Sequence, residues 1–209
     1  MEPNGRLLWV YAMTVLANIS GQNETTMTTT GFKTDVCSNI TDLKGVCDSS
    51  GAWTPQQVAQ VLLTIRTVSD RLHQQQLQEC RGAEPHQCPE AEVPANGGLV
   101  CATVNNRRLC KSLCNQGYDF HFIKRSRPYE ECSQATGYRW TSYYVGGNQL
   151  AACHNSSLQV GGKPTMYFQQ DCLTAKSSVA LQNVVFDDFS ADVGAKISGT
   201  LTEKCLVCG

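Results

Sequence analysis

The sequence has no excess of charge of either sign, and it lacks the residue patterns that build catalytic or metal sites. Its 209 residues include 17 Lys or Arg and 18 Asp or Glu, for a net charge of −1. Nothing in that balance indicates a nucleic-acid-binding protein. The four histidines are scattered without metal-ligand spacing, and no Ser-His-Asp signature, nucleophile elbow, HExxH or phosphate loop occurs. We therefore expect neither an enzyme nor a protein that carries a cofactor or a metal.

The sequence also lacks an apolar stretch long enough to span a membrane. Its longest apolar run, residues 7–17, is far shorter than the roughly 20 residues that a transmembrane helix needs. The run follows Arg6 and precedes small residues that allow cleavage after Ala17 or Gly21, which is the layout of a secretory signal peptide. We therefore expect residues 1–21 to be removed and the protein to be secreted.

Glycosylation signals agree with secretion. The best N-glycosylation sequons begin at Asn39 and Asn155, and a further one begins at Asn23. Residues 22–53 are polar and rich in Thr, and they contain two of these sequons. We expect this segment to be a glycosylated loop without regular structure.

Cysteine, by contrast, is abundant. The chain has twelve cysteines, none of them in the predicted signal peptide. An even number of cysteines in a secreted chain predicts a disulfide framework. Reduced thiols or metal ligands would be the interpretation for a cytosolic chain, which the signal peptide disfavours.

Residues 54–80 carry the clearest helical pattern. Thr54 is a good N-cap and Pro55 suits the first turn, and apolar residues then recur at steps of three and four from Val58 to Leu72. The opposite face has few cations, which argues against a membrane surface. We expect this amphipathic helix to pack against the rest of the chain or against its own copy in a homo-oligomer.

Residues 88–153 contain the most informative spacing. Cys88 is followed directly by Pro and shortly by Asn-Gly, Cys114 by Gly-Tyr, and Cys132 by Gly and Trp before Cys153 closes the block. This pattern resembles a sushi (complement control protein) module, a small extracellular β-rich binding domain. The block departs from the family in the longer spacing from Gly137 to Trp140 and in lacking a Pro near its last cysteine.

The resemblance implies two disulfides, Cys88–Cys132 and Cys114–Cys153. It also implies a core of Tyr118 and Trp140 between the two bridges. Gly117 belongs to the Gly-Tyr pair of the pattern, and the Asn-Gly-Gly at Gly97 predicts a tight turn before a strand. Binding of an extracellular ligand, rather than catalysis, is the activity that the resemblance implies.

Cys101 and Cys110 form an additional pair that ordinary sushi modules lack. They flank Asn105-Asn106-Arg107, so we expect them to staple the tip of a hairpin. The six remaining cysteines allow 15 pairings, and the sequence does not choose among them. These six cysteines are Cys37, Cys47, Cys80, Cys172, Cys205 and Cys208.

Residues 154–209 are predicted to form a short C-terminal α/β segment that carries cysteines. A short strand is expected at residues 166–168 and a helix at 177–189. The predicted fold class is therefore α+β and disulfide-rich, with a small β-rich sushi-like module between an N-terminal helix and this segment.

Basic residues cluster in the middle of the sushi-like block and are the candidate ligand surface. A sulfated glycan or an acidic face of an extracellular protein would suit such a surface, whereas a solvated hairpin is the alternative. The six candidates are Arg107, Arg108, Lys111, Lys124, Arg125 and Arg127.

The function predicted from the sequence is recognition of an extracellular protein or glycan. One alternative is a structural extracellular protein assembled through intermolecular disulfides. Another is a thiol–disulfide redox protein that uses Cys205-x-x-Cys208, because this spacing lowers the pKa of thiols in oxidoreductases.

Overall fold

The computed structural model describes residues 53–142 and 145–209. The predicted signal peptide, Asn23, Asn39, Cys37 and Cys47 lie outside these residues. The chain divides into two compact units, Met1–Ala59 and Gln60–Gly209. Apart from the first turn of a helix that begins at Pro55, the fold described below is that of the second unit. Its architecture is α+β with a small antiparallel sheet and five disulfides.

The described residues form three α-helices and six strands. The helices are α1 (Pro55–Leu77), α2 (Cys172–Ser177) and α3 (Val179–Gly194). The strands are β1 (Gly97–Val104), β2 (Arg107–Cys114), β3 (Tyr118–Phe120), β4 (Glu130–Cys132), β5 (Cys153–Asn155) and β6 (Thr202–Cys208).

A tight hairpin organises the main sheet. β1 and β2 pair antiparallel from Gly97↔Cys114 to Val104↔Arg107, leaving a two-residue loop. Asn105 and Asn106 both have positive φ, 50° and 58°, which the loop of a right-twisted hairpin requires and which Asn tolerates. β6 pairs with β1, and β4 with β2, so the order is β4-β2-β1-β6. β3 and β5 form a separate two-stranded sheet.

Both faces of the main sheet are buried. Because successive side chains of a strand point to opposite faces, β1 contributes Val100 and Ala102 to one face and Leu99 and Cys101 to the other. Helix α3 covers the first face with Phe189 and other apolar side chains. The second face packs against Trp140, Leu150 and the residues that follow α1.

Side-chain caps begin the two C-terminal helices. The Asp171 carboxylate accepts a hydrogen bond from the N–H of Thr174 at 2.9 Å at the start of α2. Ser178 caps α3 in the same way through Leu181. The expected helix over 177–189 is therefore present and longer. The expected strand at 166–168 is wrong, because Pro164–Met166 forms a 3-10 turn and only a single bridge joins Cys114 to Tyr167.

Five disulfides tie these elements together. The pairs implied by the sushi resemblance, Cys88–Cys132 and Cys114–Cys153, are present. Cys101–Cys110 joins directly opposed residues of the hairpin. Cys80–Cys205 and Cys172–Cys208 attach β6 to the 3-10 turn Gln78–Cys80 that follows α1 and to the start of α2. The sheet therefore continues beyond residues 88–153, through a C-terminal strand that is bonded covalently to both flanks.

Candidate functional site

A cavity of about 510 Å³ opens on the second face of the main sheet. The end of α1 and the loop 81–93 form one side, and strands β1, β2 and β6 form the floor. Its walls are mainly apolar, and they include Leu77, Val93, Leu99, Trp140 and Val207. A concave apolar site with a few polar groups is the usual form of a ligand-binding site.

Trp140 fixes the shape of one wall. Its indole Nε1–H donates a hydrogen bond to the carbonyl oxygen of Pro89 at 2.8 Å, and the side chain is buried. This bond holds the loop that begins at Cys88 against the sheet, close to the Cys88–Cys132 disulfide. The resemblance implied a shared core of Trp140 and Tyr118. The structure instead places Tyr118 in a separate cluster with Cys114 and Cys153.

Arg108 is the most unusual lining residue because it is a buried cation, only 5% exposed. Its guanidinium donates to the carbonyl oxygen of Glu203 at 2.9 Å, to Thr103 Oγ1 at 3.3 Å and to Cys205 Sγ at 3.2 Å. Within residues 53–142 and 145–209, no carboxylate lies within 4.0 Å of it. Burial lowers the pKa of Arg108 to about 10, although the charge of Glu203 opposes this change. The group remains a cation at neutral pH.

Three cysteine sulfurs meet beside this guanidinium. The Sγ atoms of Cys80, Cys101 and Cys205 all lie within 4.8 Å of one another. The cluster arises because Cys101 is directly opposite Cys110 on one side and Cys205 on the other. All three are disulfide-bonded, whereas zinc requires thiolates. The cluster is therefore two adjoining disulfides and not a cysteine metal centre.

The Cys205-x-x-Cys208 spacing does not form a redox pair in the structure. Residues three apart on a strand point to opposite faces of the sheet. Cys205 accordingly bonds Cys80 on the second face, and Cys208 bonds Cys172 on the first. Cys205 and Cys208 are therefore not bonded to each other in this fold.

The six basic candidates do not form one exposed surface. Arg108, Lys111 and Lys124 are buried, which corrects their assignment to a ligand surface. Lys111 lies on the first face of the sheet and pairs with Asp192, away from Arg108. Arg107 pairs with Glu131, since the two are neighbours across the β2–β4 strand pair.

Glu130 gathers two of the other basic candidates. Its buried carboxylate lies 3.2 Å from Lys124 Nζ and 3.0 Å from Arg127 Nη2. Burial lowers the pKa of Lys124, and the charge of Glu130 partly offsets that effect. Arg125 is exposed. The stretch that looked basic in sequence is thus largely neutralised by its own neighbours.

The remaining predicted positions are two glycines of the module core, Gly97 and Gly117, and the sequon at Asn155. A Cβ on Gly97 would lie 2.3 Å from the carbonyl oxygen of Leu113, so only glycine permits this strand approach. Gly117 has a φ of 82° in the turn before β3. Asn155 is exposed at the end of β5, as a glycosylation acceptor must be.

Sequence reasoning placed Arg108 on an outer surface and missed its role in the cavity. The alternation of side chains along a strand could have identified it, because residues 108 and 110 lie on the same face. The expected Cys101–Cys110 disulfide indicates that this face is buried. A charged residue that shares a face with a buried disulfide is a candidate for a buried site.

Comparison with known proteins adds no relative. No family model matches the chain, and no match was found among the curated proteins or the solved structures. In the part of the chain that the structure describes, no helix is long and apolar enough to cross a membrane.

Proposed function

We propose that this protein is a secreted, glycosylated binding protein that recognises an acidic side chain or terminus of an extracellular partner protein. The carboxylate enters the cavity and pairs with Arg108. The observation that carries this proposal is a buried guanidinium that lines an open cavity and, among the described residues, has no carboxylate within 4.0 Å. Glu90 and Glu92 also line the cavity but do not reach this guanidinium. A buried cation without a carboxylate at ion-pair distance is costly to the fold, and an incoming carboxylate would supply that direct pair.

The walls of the cavity favour a protein ligand over a sulfated glycan. Leu77, Leu99 and Val207 would contact apolar side chains that flank the carboxylate. A sulfated glycan would instead need several exposed cations, and most of the basic candidates are buried or paired. We therefore place the partner's contact in the cavity rather than on the stretch 121–127.

We also propose that residues 88–153 form a divergent sushi-like module. The disulfides Cys88–Cys132 and Cys114–Cys153 and the β-rich fold between them support this assignment. The signal peptide and the exposed sequon at Asn155 support secretion, as does the number of disulfides. The proposed activity is binding and not catalysis.

Covalent assembly into a matrix is the less favoured function. The ten cysteines in the described ranges are all paired within the chain. An intermolecular bridge would therefore have to use Cys37 or Cys47, or open an existing pair.

The test uses the full secreted chain and two short peptides, acetyl-Leu-Glu-Leu-amide and its Gln counterpart. Binding is followed by tryptophan fluorescence, because Trp140 forms part of the cavity wall. We expect the Glu peptide to bind saturably and at least about tenfold more tightly than the Gln peptide, since ionic hydrogen bonds contribute about 1.5–3 kcal/mol.

Two variants locate the site and one serves as a control. Arg108→Met removes the cation, and Ala91→Trp fills the cavity that Ala91 lines, so both should abolish binding. Arg125→Gln changes an exposed cation of the same block and should bind normally. Equal binding of the two peptides, or undiminished binding by the Ala91→Trp variant, would show that the cavity is not the site.

A further inference from the structure

Three disulfides line the cavity, but in Cys101–Cys110 both cysteines are buried, at 3% and 2% exposure. The other two each present one half-buried cysteine to a molecule that enters the cavity. Cys80 of Cys80–Cys205 and Cys88 of Cys88–Cys132 both line it, and both are half-buried. Their partners, Cys205 and Cys132, are buried at 4% and 0% exposure. A thiolate in the cavity would therefore attack Cys80 in the first disulfide and Cys88 in the second, because these are the accessible sulfurs.

Only one of these two disulfides has a cation at its buried sulfur. Arg108 Nη2 donates to Cys205 Sγ at 3.2 Å. Among the residues that the structure describes, neither sulfur of Cys88–Cys132 has a hydrogen bond from an Arg or Lys. When a disulfide is attacked at one sulfur, negative charge develops on the other, and a thiolate of lower pKa leaves faster. A neighbouring guanidinium stabilises such a thiolate.

From this difference we propose that Cys80–Cys205 is a thiol–disulfide exchange site that accepts electrons from an extracellular protein dithiol. Cys80 is the attacked sulfur, Cys205 is the leaving group, and Arg108 stabilises the departing thiolate. The inference is independent of the proposed carboxylate ligand, because it requires only the two sulfurs and the guanidinium.

The exchange proceeds in two balanced steps. The thiolate of the dithiol attacks Cys80 Sγ, the Cys80–Cys205 bond breaks, and a mixed disulfide forms while Cys205 leaves as a thiolate. The second thiol of the partner then loses its proton to water and attacks the partner sulfur of the mixed disulfide. The bond between that sulfur and Cys80 Sγ breaks, and Cys80 leaves as a thiolate that takes up a proton from water. The partner is oxidised by two electrons to a disulfide, and the Cys80/Cys205 pair is reduced by two.

Cleavage would loosen one wall of the cavity. Cys80–Cys205 is the covalent link between the residues that follow α1 and strand β6, and it joins positions 125 apart in sequence. Non-covalent links then remain, such as Gln76 Nε2 to the Cys208 carbonyl at 2.8 Å and Lys176 Nζ to Glu79 at 2.8 Å. Exchange would therefore remove the covalent tie at the end of α1 while leaving these hydrogen bonds and the other four disulfides in place.

Limited reduction of the native, full-length secreted protein tests the proposal. The protein is treated with a small excess of dithiothreitol at pH 7 for increasing times. Free thiols are then trapped with N-ethylmaleimide and mapped by peptide mass spectrometry. We expect Cys80 and Cys205 to be labelled first, at least about fivefold faster than Cys88 and Cys132. Equal labelling, or earlier opening of Cys88–Cys132, would overturn the proposal.

The direction of attack is tested with the monothiol glutathione. The mixed disulfide should form on Cys80 with Cys205 free, and an adduct found mainly on Cys205 would contradict the assigned roles. In the Arg108→Met protein, Cys80–Cys205 and Cys88–Cys132 should be reduced at similar rates. In the Arg125→Gln protein, the ratio of these two rates should be unchanged. If Arg108→Met is not secreted, the order of labelling and the adduct position in the wild-type protein decide the matter.

Discussion

Lys111 Nζ lies 2.7 Å from Asp192 Oδ2, and the side chain of Lys111 has no exposed surface. The pair joins the middle of β2 to α3 across the first face of the sheet. Lys163 lies 3.4 Å from the other carboxylate oxygen, and Thr165 accepts a hydrogen bond from Lys111. Burial lowers the pKa of Lys111, and the hydrogen bond to Asp192 opposes this.

Removing one member of this pair should have a different effect from removing the other. Asp192→Ala leaves a buried ammonium without its carboxylate, and we expect a loss of about 3–5 kcal/mol in the free energy of unfolding. Lys111→Met replaces the cation by an apolar chain of similar length, while Asp192 keeps Lys163, so its loss should be clearly smaller. Urea unfolding of both variants measures this, and equal losses would contradict the assigned asymmetry.

Acid sensitivity should depend on Asp119. Burial by itself would raise the pKa of Asp119, but hydrogen bonds donated by the Tyr167 hydroxyl and by the N–H groups of Val160, Phe120 and Gly161 outweigh it and hold the pKa below its usual 3.8. The unfolded chain therefore takes up this proton first as the pH falls. The stabilisation is complete above the unfolded pKa and is lost as the pH falls through the folded one.

We expect Asp119→Asn to flatten the fall in unfolding free energy below about pH 4, where an unfolded Asp takes up its proton. Tyr167→Phe removes one of the donors and should give an intermediate slope. Denaturant unfolding at a series of pH values between neutrality and pH 2 provides the comparison. A slope for Asp119→Asn equal to that of the wild type would show that another carboxylate controls the acid response.

The indole of Trp140 should contribute measurably to stability through its hydrogen bond to Pro89. In Trp140→Phe the part-buried carbonyl oxygen of Pro89 loses this donor, which costs about 0.5–1.5 kcal/mol, the net contribution of a typical hydrogen bond. Arg139→Gln, at the exposed neighbouring position, is the matched control and should change stability by less than about 0.5 kcal/mol. Thermal unfolding followed by circular dichroism measures both, and similar melting temperatures would contradict the role assigned to the indole.

Gly98 should not tolerate even a methyl group. A Cβ there would lie 2.5 Å from Cys172 Sγ and 2.8 Å from the Val207 carbonyl oxygen, both fixed by the sheet and the Cys172–Cys208 disulfide. We expect Gly98→Ala to lower the unfolding free energy by about 1–3 kcal/mol or more.

Gly194, at the end of α3, is the matched glycine for this experiment. A Cβ there meets nothing within 4 Å, so Gly194→Ala should be neutral or stabilising by up to about 1 kcal/mol. Equal urea midpoints for the Gly98→Ala and Gly194→Ala proteins would show that the close approach at Gly98 can relax.

The features that sequence reasoning reached are local or come from a spacing pattern. The hairpin tip and its Cys101–Cys110 staple were inferred together, from two cysteines that flank Asn105-Asn106-Arg107. Asn at both tip positions suits the positive φ that the loop adopts. The pairs of Cys88 and Cys114 came from the resemblance to a family pattern, not from any property of the intervening residues.

The features that it missed depend on partners distant in the chain. Lys111 and Lys124 were predicted to lie on a ligand surface because they belong to a cluster of basic residues in the sequence. The tertiary fold brings Asp192 to Lys111 and the carbonyl oxygen of Leu150 to Lys124, and it buries both lysines. Cys80–Cys205 could not be selected among 15 pairings, because a pairing depends on which loops meet in space.

By itself, then, the sequence determined the disulfide-rich α+β class, the expectation of secretion and the turn at Asn105 and Asn106. These follow from composition and from interactions among neighbouring residues. The tertiary structure decided that β6 completes the sheet beside β1. Pairing β6 with β1 brings Arg108, Cys205 and Cys80 together in one cavity. Strand pairing over such a distance depends on the packing of the whole domain, which no local pattern encodes.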